Sequence, residues 1–368
     1  MRIAVVASPY IPIPPKKYGG TEQVIYYLIK GLKELGHEPI LLASGDSEIE
    51  CEKIEITPNS IPFPVNQKDI PEHKHLKKMA DTKTYRVLRK LLPNIDVVHS
   101  HGYDLRNFSK FPNVTTIHGM IDFKDIQYYL RRKNLNFVSI SMSQQMVLPD
   151  LNFIGNVYNG EDTSEFPTVI KPENYLCFLG RFDWDKNPHL AIQLAINLGM
   201  KIKLAGKIDF KGKEYFDVQI RPYLKHPLVE YLGEVGFKQK VELLSNAVCN
   251  LHPTNFREPF GLTVMEAAYC GTPTIATLRG SMNELIEPNR TGVLVEDFIE
   301  ARQAVEKCLQ MDREYISSRS RQLFNYNNMT AEYLKVYNRA IDIARQKHST
   351  PGMLNKLLGR FKRSLKFD

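Results

Sequence analysis

No apolar run in the 368 residues approaches the roughly 18 needed to cross a bilayer as a helix, which excludes a helical integral membrane protein. The opening Met1-Arg-Ile-Ala-Val-Val-Ala7 leads straight into a loop and has no secretory cleavage pattern, so the expected location is the cytoplasm. Cysteine is scarce. Cys51, Cys177, Cys249, Cys270 and Cys308 are odd in number, far apart and mostly inside apolar runs, and indicate neither a disulfide framework nor a zinc site. No Gly-x-Gly-x-x-Gly follows the first apolar run, which argues against a dinucleotide oxidoreductase. Low-complexity tracts are also lacking, and no repeat is visible beyond a similarity of the two halves. With 43% hydrophobic residues, the composition is that of a soluble globular protein.

Acidic residues are outnumbered, leaving a formal charge of +8. Such an excess can mark a nucleic-acid surface. Here much of it collects at the end, where Arg345, Lys347, Lys356, Arg360, Lys362, Arg363 and Lys366 face only Asp342 and Asp368, so no nucleic-acid partner is expected. In that tail Leu354, Leu357, Leu358, Phe361 and Leu365 recur at helical spacing between the basic residues. The pattern fits an amphipathic helix lying peripherally on the anionic inner face of a membrane, and equally a helix docked on its own protein.

The length suits two domains, each able to bury a substantial interior. Short apolar runs alternate with helical patterns throughout, the signature of parallel sheets covered by helices on both faces. In the first half, residues 1–158, strands are expected at Ile3–Ala7, Pro39–Ala43, Asp96–Ser100, Val114–Ile117 and Phe137–Ile140, with a helix over Thr21–Leu35. A polar, turn-rich connector at 159–173 precedes a second half at 174–325. Its expected strands are Tyr175–Leu179, Lys201–Ala205, Val229–Leu232, Cys249–His252, Thr274–Ala276 and Val293–Val295. Thr330–Ala344, within a segment 326–346, carries Tyr333, Leu334, Tyr337 and Ile341 on one helical stripe, and 347–368 is the basic tail. Two doubly wound, Rossmann-like domains facing each other leave a central cleft, and ligands of such sheets sit beyond the carboxyl ends of strands.

The segment from Glu258 to Glu266 is the most informative. An acid in a loop precedes Gly261, and the apolar run Leu262–Ala268 reads as a buried helix stopped by Gly271 and Pro273. A helix start presents free N–H groups to a phosphate. Glu266 lies about two turns inside that helix, so the two acids reach opposite ends of a longer ligand; a glycosidase pair would instead flank one bond, about 5 to 10 Å apart. Burying Glu266 unpaired among Val264, Met265, Ala267 and Ala268 is costly, which calls for a polar partner. Arg181 and Lys186 directly follow an expected strand and supply cations beside a leaving diphosphate, or else a solvated surface pair. Asp183 and Asp185 flank the lone Trp as Asp-x-Asp, read as loop acidity because a hard cation needs further oxygen ligands; no metal or other cofactor is expected. Gly19 and Gly20 open a helix where backbone N–H groups can face a phosphate. Glu22 is either an acceptor contact or a helix-start acid favoured by the dipole. His99 and His101 share a strand face without an evident third metal ligand and read as core or cleft-lining residues.

Taken in order, Lys17-Tyr-Gly-Gly-Thr-Glu22, Thr116-Ile-His-Gly119, Asn159-Gly-Glu-Asp162, Gly180-Arg-Phe-Asp-Trp-Asp-Lys-Asn187, the Glu258–Glu266 block, Arg279-Gly-Ser-Met-Asn-Glu284 and Gly292-Val-Leu-Val295 resemble the signature of retaining glycosyltransferases of family 4 (group 1). The resemblance covers most of the chain. It implies a GT-B fold and transfer of a sugar from a UDP- or GDP-linked donor to a glycan, lipid-linked or small-molecule acceptor. It further implies a pyrophosphate clamp at Arg181 and Lys186, and His118 beside the transferred sugar. Donor contacts are implied at Gly19, Gly20, Glu258, Phe260, Gly261, Leu262, Glu266, Gly280 and Ser281, with Glu22 towards the acceptor. A nucleotide-sugar epimerase and a sugar-nucleotide-binding protein without catalysis remain as alternatives.

Overall fold

The computed structural model describes residues 1–348 apart from Tyr18, Val65, Lys211, Ile299 and Glu300, so the amphipathic pattern of the tail lies outside the described residues. The first sheet comprises β1 (Arg2–Val6), β2 (Glu38–Ser44), β3 (Glu52–Thr57), β4 (Val97–Ser100), β5 (Asn113–Thr116), β6 (Phe137–Ser139) and β7 (Phe153–Asn156). The second comprises β8 (Tyr175–Leu179), β9 (Lys201–Ala205), β10 (Val229–Gly233), β11 (Cys249–His252), β12 (Thr274–Thr277) and β13 (Gly292–Val295). Their spatial orders are β3-β2-β1-β4-β5-β6-β7 and β10-β9-β8-β11-β12-β13, and every pairing is parallel.

Central strands are buried on both faces because helices cover both, so Ile3–Val6 and Ile40–Ala43 read as unbroken apolar runs. The second sheet's strands end within one residue of the expected segments. The first sheet has two strands more than expected, β3 and β7, one at each edge. Glu52-Lys-Ile-Glu-Ile-Thr57 alternates charged with apolar residues and stays half exposed, and Phe153-Ile-Gly-Asn156 contains only two large apolar side chains. Neither forms the continuous run that marks a doubly covered strand.

Strand order reverses between β1 and β4 in one sheet and between β8 and β11 in the other. Such reversals splay the following loops apart and open a crevice at the carboxyl ends. The loops after β8 and β11 are those holding Arg181, Lys186 and Glu258.

The helix Tyr326–His348 packs on the first sheet, where Met329, Tyr333, Val336, Tyr337 and Ala340 join the core built by β1, β2 and the helix Gly20–Glu34. It extends beyond both ends of the expected span. The two chain segments that pass between the halves touch each other. Glu161 bridges Asn325 in parallel, and Tyr326 N–H donates to Glu161 C=O at 3.1 Å. Gly160 permits this approach, since a Cβ there would lie 2.2 Å from the Asn325 carbonyl oxygen.

Gly160→Ala is therefore expected to lower stability by about 1–3 kcal/mol, the usual consequence of overpacking. Urea unfolding tests this, and an unchanged midpoint would mean that the two passing segments do not need their close contact.

Candidate functional site

A cavity of about 340 Å³ opens between the two sheets at their points of strand reversal, a volume in the range of small-molecule sites. Two helices begin at its wall. The helix Gly20–Glu34 starts after Gly19 and the helix Leu262–Tyr269 after Gly261, and neither has a side chain capping its first turn. Gly261 has φ of +100°, a left-handed conformation that suits glycine. The starts approach across the cleft so closely that a Cβ on Gly20 would lie 2.6 Å from Leu262 Cδ1. Uncapped first-turn N–H groups and two converging dipoles favour an anion in the space between.

The floor contains buried ionisable groups, and two of its carboxylates are paired with lysines. Glu258 accepts from Lys186 Nζ and from His252 Nε2, the latter at 3.1 Å. Burial pushes its carboxyl up, but the Lys186 ammonium and His252 outweigh this and hold it down at about 2. Glu266 accepts from Lys240 Nζ. Burial lowers the Lys240 ammonium while Glu266 and Glu161 raise it, and the net shift is upward. Glu161 is fully buried and neither of its carboxyl oxygens has a hydrogen-bond partner. Burial first, and the neighbouring Glu266 second, raise its carboxyl to about 8. Arg181 is 3.2 Å from Asp183, 3.9 Å from Asp185 and 3.9 Å from Asp209. Asp183 and Asp185 thus face a guanidinium, and among the described residues no group of three or more His, Cys, Asp or Glu is arranged to hold a metal ion.

On the first sheet's side, His118 follows β5 and shares a 2.7 Å hydrogen bond between its Nε2 and His101 Nδ1. His101 lies against His99, with ring centroids 4.1 Å apart. The His99 ring nitrogens bond the Tyr337 hydroxyl and Thr116 Oγ1, each at 2.8 Å, and Thr116 Oγ1 bonds the Tyr333 hydroxyl at 3.0 Å. Burial lowers His118 to about 4 and, with His118 assisting, His99 to about 3; His101 is also well below its ordinary range. All three rings are neutral near pH 7.

Gly19, Gly20, Glu22, His118, Arg181, Lys186, Glu258, Phe260, Gly261, Leu262 and Glu266 all line this cavity. Glu22 is buried and accepts from Ser8 Oγ at 3.3 Å, and burial raises its carboxyl. Gly280 and Ser281 do not line it, contrary to the expectation of phosphate-facing N–H groups. Ser281 N–H and hydroxyl donate to the Glu258 carbonyl, and its hydroxyl also bonds the Phe260 carbonyl at 2.6 Å, so Ser281 braces the Glu258 loop from behind. Sequence reasoning missed Lys240, which sits in an ordinary amphipathic helix, and assigned no site role to Asn159 and Glu161, although Asn159-Gly-Glu-Asp162 belongs to the resembling signature. It also missed His252 as the second partner of Glu258, although its position at the end of an apolar run was a signal.

The family described as Glycosyl transferases group 1 matches residues 161–327, and Glycosyltransferase Family 4 matches residues 18–146. The chain is 24% identical over 352 residues to a glycogen synthase of Mycobacterium tuberculosis, covering 80% of this chain and 82% of that protein. Its fold is similar to sucrose-phosphate synthase from Thermosynechococcus elongatus, with a TM-score of 0.73, 17% identity and coverage of 93% and 99%. It is also similar to Anabaena HepE, solved with UDP and glucose, with a TM-score of 0.70, 15% identity and coverage of 92% and 99%.

Between its ordinary value of 4.5 and about 8, the folded chain keeps a proton on Glu161 that the unfolded chain releases, so the associated stability declines as pH rises through that window and is flat above it. Glu161→Gln stays neutral and lacks this slope. Thermal melts from about pH 5 to about pH 9 are expected to show a smaller loss of Tm in the variant than in the wild type; parallel curves would exclude a proton held on Glu161.

Proposed function

Because the chain belongs to the group 1 glycosyltransferases of family 4, a GT-B family, we propose that its cleft binds a UDP- or GDP-linked sugar and passes that sugar, with retained anomeric configuration, to a glycan, lipid-linked or small-molecule acceptor. The observation that carries this reading is the convergence of Arg181, Lys186 and two uncapped helix starts on one cavity. A departing diphosphate accumulates negative charge, and fixed cations with oriented N–H groups stabilise it without reorganisation. In this reading the half at 174–325 grips the donor through Arg181, Lys186, Glu258, Phe260, Gly261, Leu262 and Glu266. The half at 1–158 contributes Gly19, Gly20 and His118 and meets the acceptor near Glu22. UDP in a protein of similar fold supports a nucleotide of this kind.

Glu258 is engaged by Lys186 and His252, which makes it a weak base and a poor nucleophile. The reading therefore needs no covalent enzyme intermediate. The acceptor hydroxyl approaches the face the diphosphate leaves, and its proton goes to the departing phosphate oxygen. His118, neutral, offers a hydrogen bond to a sugar hydroxyl without placing a positive charge beside the electron-poor anomeric carbon. Closure of the halves would exclude water and favour transfer over hydrolysis. Assembly of a cell-surface polysaccharide or glycolipid at the inner face of a membrane suits the basic tail, and no described helix is long and apolar enough to cross one.

Arg181→Ala is expected to lower kcat about 10²–10³-fold, the usual loss on removing one donor to a developing anion, with little change in Tm. It is a cleaner test than Lys186→Ala, which also strands the buried Glu258 carboxylate. A near-normal rate in steady-state assays with UDP- and GDP-sugars would refute the clamp. Activity is expected to be unchanged in chelator; a loss that magnesium or manganese restores would refute the metal-free reading. Product analysis with and without acceptor separates transfer from epimerisation.

A further inference from the structure

Glu284 lies in the second half, in the helical turn Met282–Leu285, yet among the described residues every hydrogen bond of its side chain goes to the first half. Its Oε2 accepts from Met142 N–H and from the Tyr158 hydroxyl, each at 2.8 Å, and its Oε1 accepts from Ser143 N–H at 2.7 Å. Hydrogen bonds to an ionised carboxylate are short and strong, and two of these come from backbone groups that no rotamer change can withdraw. Arg257, next to Glu258 in the chain, adds a longer contact to Ser143 Oγ at 3.4 Å.

The segment that Glu284 grips leads directly to His118. Gln144, the next residue, is buried, and its amide is committed at both ends. Oε1 accepts from Ile140 N–H at 3.0 Å, and Nε2 donates to the Ile117 carbonyl at 3.0 Å and the Gly119 carbonyl at 2.8 Å. Those two carbonyls flank His118, so one buried amide sets the backbone on both sides of it. Three residues before Glu284, Ser281 braces the carbonyls of Glu258 and Phe260. A single turn of chain therefore touches the Glu258 loop on one side and, through Gln144, the seat of His118 on the other.

We propose that Glu284 is a positioning residue, holding the two halves at the spacing at which His118, Arg181 and Lys186 share one cavity. Glu284 does not line that cavity and touches no reacting atom; it acts through the Met142–Gln145 segment and the Gln144 amide. The inference rests on the glycosyl-transfer reading and adds to it the residue that brings the two walls of the cleft into register. An ionised carboxylate only accepts, which matches the three donors that face it. A carboxamide in its place has to turn an N–H towards the N–H of Met142 or Ser143, and the grip is lost at unchanged size.

The test compares Glu284→Gln with the wild type by NMR of the full-length protein labelled at histidine, the His118 and His101 rings being assigned from His118→Gln and His101→Gln spectra. The His118 and His101 ring resonances are expected to shift or broaden in Glu284→Gln, while those of His37 and His226, just before β2 and β10, hold their positions. In the steady-state assay that tests Arg181→Ala, kcat is expected to fall about tenfold to a hundredfold, the scale of a misplaced group, with Kd for UDP or GDP changed by less than about twofold. Glu284→Asp keeps the charge but retracts it by one methylene; it should give the same pattern in weaker form, and it carries the test if the glutamine variant fails to fold. An unmoved His118 resonance, a normal kcat, or a loss of nucleotide affinity as large as the loss of kcat would each overturn the proposal. A wild type that binds neither UDP nor GDP would sink the donor reading instead, and the histidine spectra would still decide whether Glu284 sets His118.

Discussion

Two carboxylates have been taken out of water at the floor of a cleft whose walls favour anions, and the fold must neutralise both. A buried carboxylate without a partner costs several kcal/mol, so Glu258 requires Lys186 and Glu266 requires Lys240. Each pair joins elements that are distant in sequence. Lys186 comes from the loop after β8 and Glu258 from the loop after β11, while Lys240 lies in the helix Phe237–Ser245 and Glu266 in the helix Leu262–Tyr269. Pairing therefore fixes the loops on both sides of the strand reversal in the second sheet. On the proposed reading, an incoming diphosphate meets cations already held by carboxylates, with Arg181 among Asp183, Asp185 and Asp209.

The first sheet solves the opposite problem. Its polar residues at the cleft are imidazoles, and burial keeps them neutral. A hydrogen bond joins His118 to His101, whose ring lies tilted against His99, and hydrogen bonds continue from His99 to Thr116 and Tyr337 and from Thr116 to Tyr333. The last two residues lie in the terminal helix, more than two hundred positions further along the chain. That helix reaches them only because the chain crosses back beside Glu161, whose backbone bridges Asn325 and whose carboxyl borders Glu266. The passage between the halves, the floor of the cleft and the imidazole chain are thus one contiguous structure.

Much of this is legible in the sequence alone. The doubly covered strands are apolar along their whole length, and the block from Glu258 to Glu266 combines an acid, a left-handed glycine and an apolar helix in a pattern with few alternative explanations. The edge strands β3 and β7 were not legible, because an edge needs only one partner and tolerates the alternating or broken patterns found at Glu52–Thr57 and Phe153–Asn156. Gly280 and Ser281 are ambiguous in the sequence for a related reason. A glycine and a serine before a short helix are compatible with an open anion seat and equally with a backbone brace, and the choice depends on whether neighbouring carbonyls are already satisfied. Here the carbonyls of Glu258 and Phe260 were not, and Ser281 completes them.

The residues that sequence reasoning passed over share one property: they are polar side chains in segments where polarity normally signals water. Glu161 lies in a turn-rich connector and Lys240 in an amphipathic helix, settings in which exposure is the economical assumption. What reverses their meaning is packing between elements far apart in sequence. The two connecting segments lie against each other and close over Glu161, while the helix Phe123–Leu130 and the turn ending at Arg132 close over His101. Once water is removed, each polar atom needs a named partner, and its absence becomes information. Glu161 and Asn159 line the cleft between the sheets, whereas His101, Thr115 and Arg132 line a neighbouring chamber, and each of the five keeps a buried polar atom without a hydrogen-bond partner. His118 lines both spaces, so the imidazole chain of the first sheet forms the partition between them.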